Sequence, residues 1–228
     1  VRTLRDLISD DPAWPLVQEW IAAASNRVEV LPASEPARSL ALEATQVTTR
    51  SPMGAVIFET GGILIDGGWL RILGSGHPRL PRSLPDWNKG RTWNEEQPVP
   101  PVILVADDVV GGSFAANGGG FDGPPGHVHY FAPDRLEWES LERGYSDFLQ
   151  WTLQGDLEKF YEGQRWPGWL GDVSALAGDQ AISIYPFLWA EGPPSRIALE
   201  RRHPSRRSSI FSSTCSANWQ AGTSRDRR

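Results

Sequence analysis

The segment His77-Pro78-Arg79-Leu80-Pro81-Arg82 sets one imidazole and two guanidiniums close together in a loop that follows a predicted strand. Paired N–H donors of this kind suit an anion or a carboxylate, whether on a ligand or on the protein's own acidic body, and the acidic body is the favoured partner. Asp107 and Asp108 bring two carboxylates to the end of an apolar run. Neighbours on an extended chain point to opposite faces, which suits a turn cap better than a shared acid–base task. His127 and His129 lie two apart on a predicted strand, so both rings face one side and could reach a metal together with Asp107 or Asp108. Spacing supplies no third ligand, and no metal is expected. Gly111-Gly112-Ser113 lacks the Gly-x-Ser-x-Gly pattern of a nucleophile turn, and the Gly118 to Gly120 run lacks the Lys of a phosphate loop. Both read as turns. Trp87, Trp93, Trp166 and Trp169 sit in Pro- and Gly-rich stretches, where exposed Trp would anchor a protein partner. The candidate binding residues are therefore His77, Arg79, Arg82, Trp87, Asp107 and Asp108. No catalytic residue and no cofactor are expected.

The elements that must position these residues follow from periodicity. Asp11 and Pro12 suit a helix start, and Leu16, Val17, Trp20, Ile21 and Ala24 recur at helical spacing. Val28 to Leu31 reads as a strand, and Glu35 to Thr45 as a second helix. From Gly54 to Leu73 the pattern reads as a β-meander, with strands at Ala55 to Phe58, Ile63 to Asp66 and Trp69 to Leu73 divided by Gly pairs. The proline-rich stretch from Gly74 to Pro101 is a long connection with one helical turn at Ser83 to Asn88. Strands at Val102 to Ala106, Ser113 to Ala116 and Val128 to Ala132 continue the sheet, and Leu136 to Trp138 adds an edge. Ser146 and Asp156 are the predicted caps of two closing helices, and Ala181 to Trp189 is a last strand or arm. The order predicts an α+β fold: a mainly antiparallel sheet of five to seven strands with N-terminal and C-terminal helices packed on one side.

Composition limits the function. With 228 residues, 39% hydrophobic, the chain can bury a core without metal or disulfide staples. One Cys excludes an intramolecular disulfide framework, and no apolar run approaches the ~20 residues of a membrane span or forms a leader, so a cytoplasmic address is expected. The formal charge of -6 averages two unlike parts. Residues 1–195 hold 14 basic and 26 acidic groups, a charge of -12, whereas residues 196–228 hold eight Arg and two acids, or +6. A single domain over 1–195 and a disordered, basic Ser/Arg-rich tail over 196–228 are predicted. Back-translation of Ser209 to Ala221 with GC-leaning codons gives, in a second frame, a helix-forming peptide ending in Gly, as a frameshift near 195 to 203 would leave. Nucleic-acid binding through the tail therefore ranks last.

Three stretches carry a family resemblance: Leu42 to Asn88, including Gln-Val-Thr-Thr-Arg-Ser-Pro at 46–52 and the run from Gly74 to Asn88; then Val105 to Phe114; and Tyr145 to Trp169. Trp14 to Trp189 resembles the bacterial domain of unknown function 2625 family. A more distant likeness is to the SUKH superfamily of immunity proteins, in the order Ala106-Asp107, Gly111-Gly112, Gly126 to Phe131 and Ser146 to Leu149, with Phe148 one place early. That likeness implies an α+β fold and binding of another protein, such as a toxin, and it carries no catalytic residues. An acidic body would favour a basic protein partner. A small-molecule binder or enzyme using the His77 to Arg82 loop, with Asp107 and His129 as acid–base groups, is the alternative.

Overall fold

The computed structural model describes residues 1–93 and 101–185 and the strand at 196–201, with backbone alone for residues 184–185 and 196–201. Along the chain lie α1 (Leu4–Leu7), α2 (Trp14–Ala22), β1 (Val28–Pro32), α3 (Ala37–Thr45), α4 (Pro52–Glu59), β2 (Thr60–Ile65) and β3 (Leu70–Leu73). They are followed by α5 (Leu84–Asn88), β4 (Val102–Asp108), β5 (Ser113–Asn117), β6 (His127–Ala132), β7 (Glu137–Gly144), α6 (Tyr145–Gln154), α7 (Leu157–Phe160), α8 (Trp169–Ser174), β8 (Gln180–Tyr185) and β9 (Arg196–Arg201). The fold is α+β, as expected: β1 to β7 form one seven-stranded sheet in sequence order, every neighbour antiparallel.

One expected strand is a helix. Ala55 to Phe58 lies within α4, where Ser51 accepts a hydrogen bond from the Gly54 N–H and Pro52 occupies the first turn. Its residues from Gly54 to Phe58 are all buried, so no polar face marks the helical period and a short apolar run reads equally as strand. The helix passes directly into β2, which is buried on both faces and therefore shows no alternation either.

Asp66 to Gly68 form a 3₁₀ turn between β2 and β3, with φ of 51° at Asp66 and 70° at Gly67. The Gly67-Gly68 pair thus supplies the left-handed backbone this tight reversal needs. After β3 the chain runs through the His77 to Arg82 loop into α5, capped by Ser83 with Asp86 reaching back to it. Asn88, fully buried, pins α5 to β4 by donating to the Leu104 carbonyl and accepting from the Leu104 N–H, both at 2.8 Å. The N- and C-terminal helices meet where α2 and α4 contact α6.

The edge predicted at Leu136 to Trp138 is longer, covering Glu137–Gly144. Tyr145 rather than Ser146 opens α6, and Asp156 caps α7 by accepting from the Lys159 N–H at 2.9 Å. The short helix α1 opens on a Thr3-x-x-Asp6 capping sequence, with Asp6 accepting from the Thr3 N–H at 3.0 Å, and neither α1 nor α8 is among the expected elements. β8 pairs with β9, which comprises the first six residues of the expected tail. The rest of that tail, including Cys215, lies outside the described residues, as does the part of the predicted last strand beyond Tyr185.

Candidate functional site

Two of the predicted polar residues, Arg82 and Asp107, meet, but inside the protein. Arg71 on β3 faces Asp107 on β4 across the sheet and donates to its Oδ1 at 2.8 Å, while Arg82 from the loop donates to Oδ2 at 2.6 Å. Arg71, Arg82 and Asp107 are 2%, 6% and 0% exposed, so the carboxylate and both guanidiniums form a buried ionic cluster. Charges so deep persist only when paired and hydrogen-bonded. Arg71 meets that condition by donating also to the carbonyls of Gly178, at 3.2 Å, Gln180, at 2.8 Å, and Asp108, at 3.1 Å; Arg82 reaches Gly178 as well. The cluster therefore straps the segment before β8 onto the sheet. Gly178 is required there, because a Cβ would stand 2.2 Å from the Arg79 carbonyl oxygen.

Asp108 turns the other way. Its Oδ1 accepts from the N–H groups of Val110, at 3.1 Å, and Gly112, at 2.7 Å, which is the turn cap read from the sequence. Its Oδ2 accepts from the hydroxyls of Tyr130, at 2.8 Å, and Tyr161, at 3.3 Å. Burial, and then the negative charge of Asp108, push both phenols well above the ordinary tyrosine range, so they remain donors.

The other candidates also have structural partners. The Nδ1 of His77 accepts from the Arg79 N–H, and the exposed Arg79 guanidinium pairs with Glu29. Trp87 is buried between two cations, with Arg82 at 4.5 Å and Arg91 at 4.1 Å from its ring centroid. Trp93 packs half-buried on the core. His129 is buried beneath Phe121, ring centroids 4.4 Å apart, and burial lowers its pKa. Among the described residues no group of three potential metal ligands comes together.

Sequence reasoning missed Arg71 and the cluster around Trp69. A lone Arg between Leu70 and Ile72 in a β run was the available signal, since a buried guanidinium demands a buried carboxylate. Arg165 lies 5.0 Å from the ring centroid of Trp69, 5.5 Å from Tyr161 and 4.2 Å from Trp169, and pairs with Asp66 at 2.7 Å. Trp166 and Trp169 stand against Trp69 with centroids 5.8 and 5.1 Å apart. These two predicted tryptophans are half-buried and border an open concavity of about 900 Å³.

Fold and cluster together define an α+β protein built on an antiparallel meander and tied through its centre by a buried Arg–Asp–Arg bridge. The chain belongs to the family described as "Protein of unknown function DUF2625", which matches residues 4–206. It is 48% identical over 197 residues to "Putative uncharacterized protein YbfG" of Escherichia coli (strain K12), covering 86% of this chain and 89% of that protein. It is 43% identical over 203 residues to an "Uncharacterized protein" of Haemophilus influenzae, covering 89% of this chain and 88% of the relative. No solved structure matches. No helix among the described residues is long and apolar enough to cross a membrane.

Proposed function

We propose that this chain is a non-catalytic cytoplasmic protein that binds another, basic protein, in the manner of SUKH-type immunity proteins facing a toxin. One observation carries the reading: the strongest polar constellation, Arg71, Arg82, Asp107 and Asp108, is buried and hydrogen-bonded within the fold. General acid–base work calls instead for a titratable group within reach of a bound substrate. A small-molecule site in the His77 to Arg82 loop would have to draw Arg82 away from Asp107, breaking a buried ion pair. The carboxylates outside this cluster give residues 1–195 their charge of -12, which favours fast, selective association with a basic surface. The likeness of Ala106-Asp107, Gly111-Gly112 and Ser146 to Leu149 to the SUKH pattern supports the same reading.

The test is isolation of the tagged full chain from its native host, identification of what accompanies it, and reconstitution from purified components. A basic protein that re-forms a one-to-one complex on gel filtration is the expected result. Recovery of the chain with a tightly held metabolite and no protein would overturn the proposal.

A further inference from the structure

The concavity beside α7 and α8 has features that the buried ionic cluster lacks. Glu158, Lys159 and Glu162 on its wall are exposed, and neither glutamate makes an ion pair among the described residues. The remaining cation of the wall, Arg165, is already neutralised by Asp66 and stacked on the rings. With Asp156 also on the wall, the charge left for a visitor is negative. Trp166 is held by a 2.8 Å hydrogen bond from its indole N–H to Asp172, which adds a further exposed carboxylate to the rim. Rigid, half-exposed indoles surrounded by carboxylates are suited to Arg and Lys side chains, whose stems pack on rings while their heads meet charge. Arg165 shows the same pairing within the chain, 4.2 Å from the ring centroid of Trp169.

We infer that this concavity is the docking surface for a basic, Arg- and Lys-bearing segment of a protein partner, with Glu158 and Glu162 as the charge contacts and Trp166 and Trp169 as the platform. The inference rests on the protein-binding reading and adds to it a place and a chemistry. Six of the ten residues on the wall are exposed, so the site is an open trough that admits a chain segment rather than a closed pocket.

The test titrates a twelve-residue Arg/Lys-rich peptide into the full chain by calorimetry, with Glu158→Gln/Glu162→Gln as the site variant. Glu137→Gln/Glu139→Gln, on β7, makes the same charge change elsewhere. The site variant should weaken binding about tenfold and the control less than twofold. Equal losses in the two variants, or no peptide binding to the unmodified chain, overturn the site. If a partner is known and the site variant binds it undiminished, the site falls while the protein-binding reading stands. If the host yields no partner at all, that reading falls, and the peptide result judges the site by itself.

Discussion

Asp107 and Asp108 are neighbours in the chain with separate sets of side-chain partners. Asp107 accepts from Arg71 and Arg82, and Asp108 accepts from Tyr130 and Tyr161. The alternation of an extended strand divides two adjacent acids between two tasks. One straps the segment before β8 to the sheet, and the other holds the turn into β5 and the end of α7 together.

Removing the first carboxylate should be costly. Asp107→Asn leaves two buried guanidiniums without their counter-charge, and breaking such a cluster costs about 3 to 5 kcal/mol. Arg79→Ala removes only an exposed pair with Glu29 and should cost under about 1 kcal/mol. Urea unfolding of both variants checks the contrast, and similar losses would contradict a buried structural role for Asp107.

The Asp108 side makes a graded prediction. Tyr130→Phe removes a 2.8 Å hydrogen bond to a carboxylate and should cost about 1.5 to 3 kcal/mol; Tyr161→Phe, with its longer 3.3 Å contact, should cost less. Absorbance titration of the folded protein should find both phenols un-ionised through the ordinary tyrosine range, since burial and Asp108 raise them.

Gly112 tests the packing of the same turn. A Cβ there would lie 2.1 Å from Asp108 Oδ2 and 2.4 Å from the Tyr130 ring, so Gly112→Ala must displace that hydrogen-bonded pair. A loss of about 1 to 3 kcal/mol in thermal or urea unfolding is expected. A neutral substitution would mean that the turn yields without cost.

His129 should make stability depend on pH. Its folded pKa lies below the ordinary value of 6.5, chiefly through burial. As pH falls through 6.5 the unfolded chain takes up a proton that the folded chain does not, so stability declines between the unfolded and folded pKa values and is unaffected above them. Unfolding measured at pH 7.5 and 5.5 should show a smaller decline for His129→Asn than for the unmodified chain. Equal declines would contradict this.

Much of the fold was legible from period alone. The strands from Val102 to Ala132 are short apolar runs bounded by Asp-, Gly- and Pro-bearing turns, and Asp156 is a local cap, signals that survive without tertiary context. α4 was not legible, because a helix buried on all sides has lost the polar stripe that reveals its period. The guanidiniums of Arg79 and Arg82 pair with the protein's own acids, the favoured reading of that loop, and Asp108 caps a turn. Arg82 and Asp107 were both marked, and they pair with each other, but the third member of the cluster, Arg71, belongs to no motif and becomes visible only once β3 and β4 pair. The concavity at Trp166 and Trp169 was signalled by tryptophans in loops, but its carboxylate rim needs Glu158 and Glu162 brought to the wall on which Trp166 meets Asp172.

The central claim is that this protein acts by docking a basic protein partner. Native mass spectrometry of the complex recovered from the host, taken at low and then at raised ionic strength, tests it most directly. The account predicts one chain bound to one basic protein, released as salt screens the acidic surface. A free chain at every ionic strength, or a chain carrying only a small molecule, would contradict it.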